Sequence, residues 1–301
     1  MRYNVKLFIV LFAIVIPQST FSQNINADLE QVKNLIKAFP GNVGVCMISD
    51  YTDTICINGN QRFPLLSVMK LHQALAISNF CNQSKISFAK QVRVKSKDLM
   101  KNTWSPMRER NPLGGKYTVA ELIRFSLEES DNNACNILSD KVLGMDATNK
   151  LIHDIGFADC QILSDERSMM KDVNVCYDNW STPLEIVRLL EWLYERRDTH
   201  KLIWSSMSEC KTGGNRISRY LNNVSIVHKT GTGPVLPNGK IVAVNDIACI
   251  LFPDNRHYSL AIFITDSDCD VSECEQLIAE ISRLCFNLYC RNRIQSLQIL
   301  E

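Results

Sequence analysis

Strand-like patterns stand at both ends of this 301-residue chain, and a long helical stretch separates them. Near the start, "NVGVCMIS" (42–49) and "DTICING" (53–59) read as strands joined by a polar turn. Near the end, "VSIVHKTGTG" (224–233), "KIVAVNDIACILF" (240–252) and "HYSLAIFITD" (257–266) do the same, with "PDNR" (253–256) turning between the last two. Helical spacing of apolar residues marks "ADLEQVKNLIKAF" (27–39) and "SECEQLIAEISRLCFNLYC" (272–290). From Ser67 to about residue 200 the signals are mostly helical. "TVAELIRFSLEES" opens with a capping box, Thr118 with Glu121; "TPLEIVRLLEWLYERR" opens with Thr182 and Glu185, and with Pro183 in its first turn. The natural reading is an α/β (α+β) fold: one antiparallel sheet built from both chain ends, flanked by the terminal helices, with an all-helical lobe inserted. The expected division is 23–62 plus 203–301 for the sheet lobe and 63–202 for the helical lobe, with an active site between them.

The chain's first 22 residues read as a secretory signal. Arg2 and Lys6 supply positive charge, "LFIVLFAIVI" (7–16) is the apolar segment, and the small residues Thr20 and Ser22 place a cut after Ser22. That run is short for spanning a bilayer. The expected location is the periplasm, with no membrane attachment after cleavage. A net charge of +1 leaves no basic field for nucleic acid, so the expected partner is a small molecule, met by a monomer.

Twelve cysteines are scattered, often within apolar runs such as "DIACILF", where they serve as small buried hydrophobes. Cys46 and Cys56 flank the first turn and would lie opposite each other in a hairpin, where export permits a bridge. There is no CxxC pair. The five histidines, His72, His153, His200, His228 and His257, form no HxH or HExxH arrangement. A zinc hydrolase is therefore not expected.

Three short motifs carry the chemistry. In "RFPLLSVMK", Ser67 and Lys70 stand at i and i+3 and share a helix face. Ser67 would sit near the positive end of the helix dipole, and a buried, neutral Lys70 could accept its proton. Alone, the pattern also reads as an N-cap serine followed by a solvated lysine. "SDN" (130–132) also reads alone as an N-cap, and "HKTGTG" (228–233) as a strand running into a glycine turn.

Together and in this order, S-x-x-K, S-D-N and K-T-G resemble class A serine β-lactamases, and within them the Bacteroides-type and extended-spectrum branch. The likeness spans essentially the whole mature chain. It implies a serine β-lactamase/DD-peptidase-like fold and hydrolysis of β-lactam antibiotics, cephalosporins and penicillins, through an acyl-enzyme that needs no metal or organic cofactor. By resemblance, Ser67 is the nucleophile, Lys70 its proton-handling partner, and Ser130 the relay to the lactam nitrogen. Asn132 holds the substrate's side-chain amide. Lys229 and Thr230, with Gly231 and Thr232 beside them, bind its carboxylate, and Arg216 supplements them. The backbone N–H groups of Ser67 and Thr232 form the oxyanion hole, and Trp104 borders the cleft.

The resemblance also assigns Glu166, in "LSDERSMMKD", to activating the water that removes the acyl group. Asn136 would hydrogen-bond that glutamate. Here the chain departs from the family: Arg167 replaces a proline, and Met170 stands where an asparagine helps hold the water. Two other readings share the motifs. A penicillin-binding protein or D-Ala-D-Ala carboxypeptidase would have no use for Glu166. A non-catalytic drug- or peptidoglycan-binding module would form no adduct at Ser67.

Overall fold

The computed structural model describes residues 18–49 and 54–298. The charged and apolar parts of the expected leader, and the expected turn at 50–53, lie outside them. In chain order the elements begin with α1 (Gln18–Ala38), β1 (Asn42–Ser49), β2 (Thr54–Ile57), β3 (Phe63–Pro64) and α2 (Met69–Gln83). Then come β4 (Gln91–Lys95), α3 (Pro106–Arg110), β5 (Gly114–Thr118), α4 (Val119–Glu128), α5 (Asn132–Lys141) and α6 (Met145–Asp154). β6 (Cys160–Gln161), α7 (Glu166–Lys171), β7 (Trp180–Ser181), α8 (Pro183–Glu195) and α9 (Lys201–Ser208) follow. β8 (Ser225–Thr232), β9 (Ile241–Leu251), β10 (His257–Ser267) and α10 (Val271–Gln298) complete the order.

The two chain ends do meet in one antiparallel sheet, ordered β2-β1-β10-β9-β8. Period-two alternation splits its side chains between two cores. Val43, Val45 and Met47 of β1 share one with Ile278, Ile281 and Leu284 of α10. Cys46 of β1 and Phe263 of β10 share the other with Val187 and Leu190 of α8. Each such apolar side chain contributes about 1.5–3 kcal/mol by leaving water. Gly44 is required where β1 crosses this second core, because a Cβ there would lie 2.4 Å from the Phe63 ring. Cys46 and Cys56 pair across β1 and β2 and are joined as a disulfide.

The expected capping box of α4 forms in full: the Glu121 amide donates to Thr118 Oγ1 at 3.1 Å, and the Thr118 amide to Glu121 Oε2 at 2.6 Å. At α8 only half forms. Thr182 caps Glu185, but the Glu185 carboxylate turns away to accept from the Asp159 amide at 3.0 Å. The stretch read as mostly helical also holds the β4–β5 pair and the short strands β6 and β7, which pair with each other and with β3 just ahead of it. Among the described residues, no helix is long and apolar enough to cross a membrane.

α2 explains the odd position of Lys70. Eleven of its fifteen residues are buried, including Lys70. The helix is enclosed on almost every side, so the lysine is carried into the interior, where its ammonium needs oxygen partners.

Candidate active site

Ser67 lies in a 3-10 turn, Leu66–Val68, that leads into α2. Leu66 has φ 49°, a left-handed conformation that costs a leucine about 1–3 kcal/mol and is kept only where surrounding structure holds it. The holding bonds are visible. The Leu65 amide donates to the Asn179 carbonyl at 2.8 Å, and Asn245 Nδ2 donates to the Pro64 carbonyl at 2.8 Å. Gly231 of β8 packs directly on this turn; a Cβ there would lie 2.5 Å from the Leu65 carbonyl oxygen. Only glycine lets β8 approach so closely.

Lys70 Nζ, fully buried, stands among oxygens from three segments. It donates to Ser67 Oγ (2.9 Å), the Ser130 carbonyl (2.7 Å) and Asn132 Oδ1 (2.7 Å), and pairs with Glu166 Oε1 at 2.8 Å. Glu166 Oε1 also accepts from Ser67 Oγ directly, at 3.1 Å. The serine hydroxyl therefore donates to the Glu166 carboxylate while it accepts from Lys70.

Ser130 and Asn132 owe their places to the residue between them. Asp131 caps α5 by accepting from the Ala134 amide at 2.8 Å, and it takes further bonds from Ser105 Oγ and the Met107 amide. Burial raises its pKa, and these donors oppose the rise. Ser130, with φ 55°, is turned so that its carbonyl and hydroxyl both face the lysines. Lys229 Nζ donates to Ser130 Oγ at 2.9 Å, and Lys70 Nζ lies 3.5 Å from the same atom. Asn132 Nδ2 donates to Thr103 Oγ1 at 2.8 Å, which leaves one amide hydrogen for a ligand.

β8 brings Lys229, Thr230, Gly231 and Thr232 alongside. Lys229 is wholly enclosed, and burial lowers its pKa to about 8, with Lys70 adding to the effect. Arg216 is also buried. It binds Glu275, the carbonyls of Gly231 and Asn245, and Thr232 Oγ1 at 2.6 Å, so its charge reaches the site through the threonine. Thr212 Oγ1 shares a hydrogen bond of 2.6 Å with Thr230 Oγ1.

Glu166 opens α7, with Asp165 as N-cap accepting from the Ser168 amide at 2.8 Å. Asn136 does not meet the Glu166 carboxylate. Its Oδ1 accepts from the Arg167 amide at 3.2 Å, so it steadies the next peptide instead. Arg167, in the family's proline position, pairs with Asp140 at 2.8 Å and ties the loop to α5. Met170 is 46% exposed and stays outside the cleft lining. Asn179, fully buried, closes the base of the segment: its Oδ1 accepts from the Leu163 and Ser164 amides (2.7 and 2.9 Å), and its Nδ2 donates to the Ser164 carbonyl (2.7 Å).

The result is a cleft of about 250 Å³. Ser67, Ser130, Asn132 and Glu166 line one side; Arg216, Thr230 and Thr232 line the other. Trp104 stands at its edge, 57% exposed, with Nε1 donating to the Glu129 carbonyl. Asp131, Asn179 and Thr212 were not singled out from the sequence. Asp131 lies inside the S-D-N motif, but the other two carry no local pattern. Among the described residues no cluster of His, Cys, Asp or Glu could hold a metal ion.

Comparison with known proteins agrees with this arrangement. The family model described as "Beta-lactamase enzyme family" matches residues 29–289. The chain is 32% identical over 288 residues to β-lactamase VEB-1 of Pseudomonas aeruginosa, covering 93% of this chain and 95% of that one. It is 33% identical over 280 residues to a β-lactamase of Phocaeicola vulgatus, covering 90% and 87%. A class A β-lactamase structure from Bacteroides cellulosilyticus superposes with a TM-score of 0.82 at 30% identity, over 89% of this chain and 98% of that one.

Proposed function

This chain belongs to the class A β-lactamases, and from that premise we propose a double displacement in which Ser67 is acylated and Glu166 directs the water that frees the product. The observation that carries the proposal is the position of Glu166 Oε1, 3.1 Å from Ser67 Oγ and 2.8 Å from Lys70 Nζ.

In the first displacement Ser67 Oγ attacks the lactam carbonyl carbon, and its proton passes to the Lys70–Glu166 pair. The amides of Ser67 and Thr232 take the developing oxyanion, a donor pair worth a few kcal/mol in the transition state. As the C–N bond breaks, Ser130 gives its proton to the nitrogen and is resupplied from Lys70 or Lys229, both at hydrogen-bond reach. Lys229, Thr230 and Thr232, backed by Arg216, hold the drug's carboxylate. Asn132 takes its side-chain amide against the Trp104 edge.

Acylation itself readies the second step. Once Ser67 Oγ is esterified it no longer donates to Glu166, and the freed Oε1 accepts from a water instead. That water attacks the acyl carbon and regenerates Ser67. The Met170 thioether, outside the cleft, leaves the water to Glu166 and Ser67.

Cephalosporins are the preferred class and penicillins the second, because the Thr232 hydroxyl, held by Arg216, offers a donor beside the oxyanion hole. The enzyme works as a periplasmic monomer after its leader is cut behind Ser22. Rapid-mixing kinetics test the mechanism: Glu166→Ala should keep the acylation burst and lose at least about 10²-fold in steady-state turnover. Equal loss of both phases would contradict it. Comparing kcat/KM for the two drug classes tests the preference, and a large excess for penicillins would overturn it.

A further inference from the structure

Ser130 turns between α4 and α5 with φ 55°, and a serine keeps that pose only where its surroundings hold it. Asp131 grips the α5 side of the turn. On the α4 side stands Glu129, the C-terminal cap of α4, only 8% exposed. Arg110, at the end of α3, straddles its carboxylate, with Nη1 2.9 Å from Oε1 and Nη2 2.5 Å from Oε2. Lys211, just past α9, donates to the same Oε1 at 3.1 Å, and its amide donates to the Glu128 carbonyl at 2.7 Å. The Glu129 carbonyl accepts from Trp104 Nε1 at 2.8 Å. Glu129 thus touches Trp104, precedes Ser130 and holds the residue before Thr212, and those three line the cleft.

Folding alone gives little reason to bury this carboxylate. Its two cations are half-exposed, and ion pairs to such partners stabilise little, while taking a carboxylate out of water is costly. Burial pushes the Glu129 carboxyl up, but Arg110 and then Lys211 bring it below the usual carboxylate range, so it is charged at neutral pH. We propose that Glu129 is a positioning residue for acylation: clamped between Arg110 and Lys211, it holds Ser130 where the hydroxyl meets both lysines and the lactam nitrogen. The inference rests on the lactamase reading and adds to it a residue outside the three motifs.

The consequence falls on one half of the reaction. Ser130 hands its proton to the nitrogen as the ring opens, whereas water attack on the Ser67 ester asks nothing of it. Ser67 is held by the turn ahead of α2, and Glu166 by α7 and its cap. Lys70 keeps Asn132 and Glu166 as partners whatever Ser130 does. Loosening Glu129 therefore slows acylation and spares deacylation.

The test is rapid-mixing mass spectrometry of the mature protein with a cephalosporin, which reads formation and loss of the Ser67 adduct separately. Glu129→Gln keeps the shape and one acceptor oxygen but gives up the charge that holds Lys211. Acylation should slow about tenfold, with deacylation within about twofold. Lys211→Met should slow acylation about threefold and add nothing to Glu129→Gln in the double variant. In a Ser130→Gly background, Glu129→Gln should change acylation by less than about twofold, because the hydroxyl it positions is gone. A merely structural role would lower the rate in both backgrounds. Equal loss of both phases, an undiminished effect in Ser130→Gly, or unchanged acylation would overturn the proposal. Should Glu129→Gln fail to fold, Lys211→Met, altered at a half-exposed side chain, carries the same comparison. A protein that is acylated but never clears the adduct would sink the lactamase reading, and its acylation rates would still decide the role of Glu129. One that takes no acyl group would sink both.

Discussion

Replacing Asn179 with alanine should separate the two halves of the reaction. The side chain makes three hydrogen bonds to the base of the segment that carries Glu166: two accepted from the Leu163 and Ser164 amides and one given to the Ser164 carbonyl. Removing it strands three main-chain groups. A buried unpaired polar group costs about 1–3 kcal/mol. Leu163 is 41% exposed and Ser164 half-buried, so water takes up part of the loss and the lower end applies, about 3 kcal/mol in total. At about 2–4 °C per kcal/mol the melting temperature should fall by roughly 6 °C or more. Ser67 and Lys70 belong to another segment, and the Asn179 carbonyl that holds Leu65 remains. Acylation should therefore stay within about threefold, while deacylation falls about tenfold or more as Glu166 loses its fixed position. Thermal unfolding together with pre-steady-state hydrolysis of a chromogenic cephalosporin reads all three quantities. A melting drop of the expected size with deacylation unchanged would refute the claim that Asn179 positions Glu166.

Three further outcomes follow from the geometry. Burial lowers Lys229 to about 8, so its charge is lost above that pH, and kcat/KM should fall about tenfold per unit beyond it; a profile flat to pH 10 would contradict a carboxylate-binding role. The same shift acts on folding in a definite direction. Between about 8 and 10.5 the unfolded chain holds the Lys229 proton more tightly than the native one, so this group's contribution is present in full above 10.5 and lost as pH falls through 8. Gly44→Ala places a methyl 2.4 Å from the Phe63 ring and should cost about 1–3 kcal/mol in denaturant unfolding, with KM unchanged, since the clash lies in the core beside α8. Cys46→Ser with Cys56→Ser opens a ten-residue loop and should lower stability by about 2–3 kcal/mol by the same measurement, again without altering turnover.

The sheet was legible because its strands are long, apolar and bounded by turn residues, and α4 because both arms of its capping box lie within four residues. β4 alternates correctly in "QVRVK", yet five residues between helical signals carry little weight until Tyr117 and Lys116 of β5 pair with them. Ser67, Lys70, Ser130, Asn132, Lys229 and Thr230 could be named because each sits in a motif whose spacing is itself informative. Asn179 could not. Its role depends on main-chain groups 15 and 16 residues away, and nothing local distinguishes it from an ordinary loop asparagine. Asn136 shows the limit of carrying a role over by position, because the bond it makes is shifted by one residue, to Arg167. Thr212 acquires meaning only when the segment after α9 is laid beside β8, which no pattern along the chain announces.

The central claim is that Glu166 removes the acyl group from Ser67. Its most direct test is mass spectrometry of the mature protein mixed with a cephalosporin, unaltered beside Glu166→Ala. The geometry predicts that the unaltered enzyme clears the drug without a lasting adduct, while Glu166→Ala accumulates one at Ser67. Adducts that persist in both, or that clear equally in both, would contradict it.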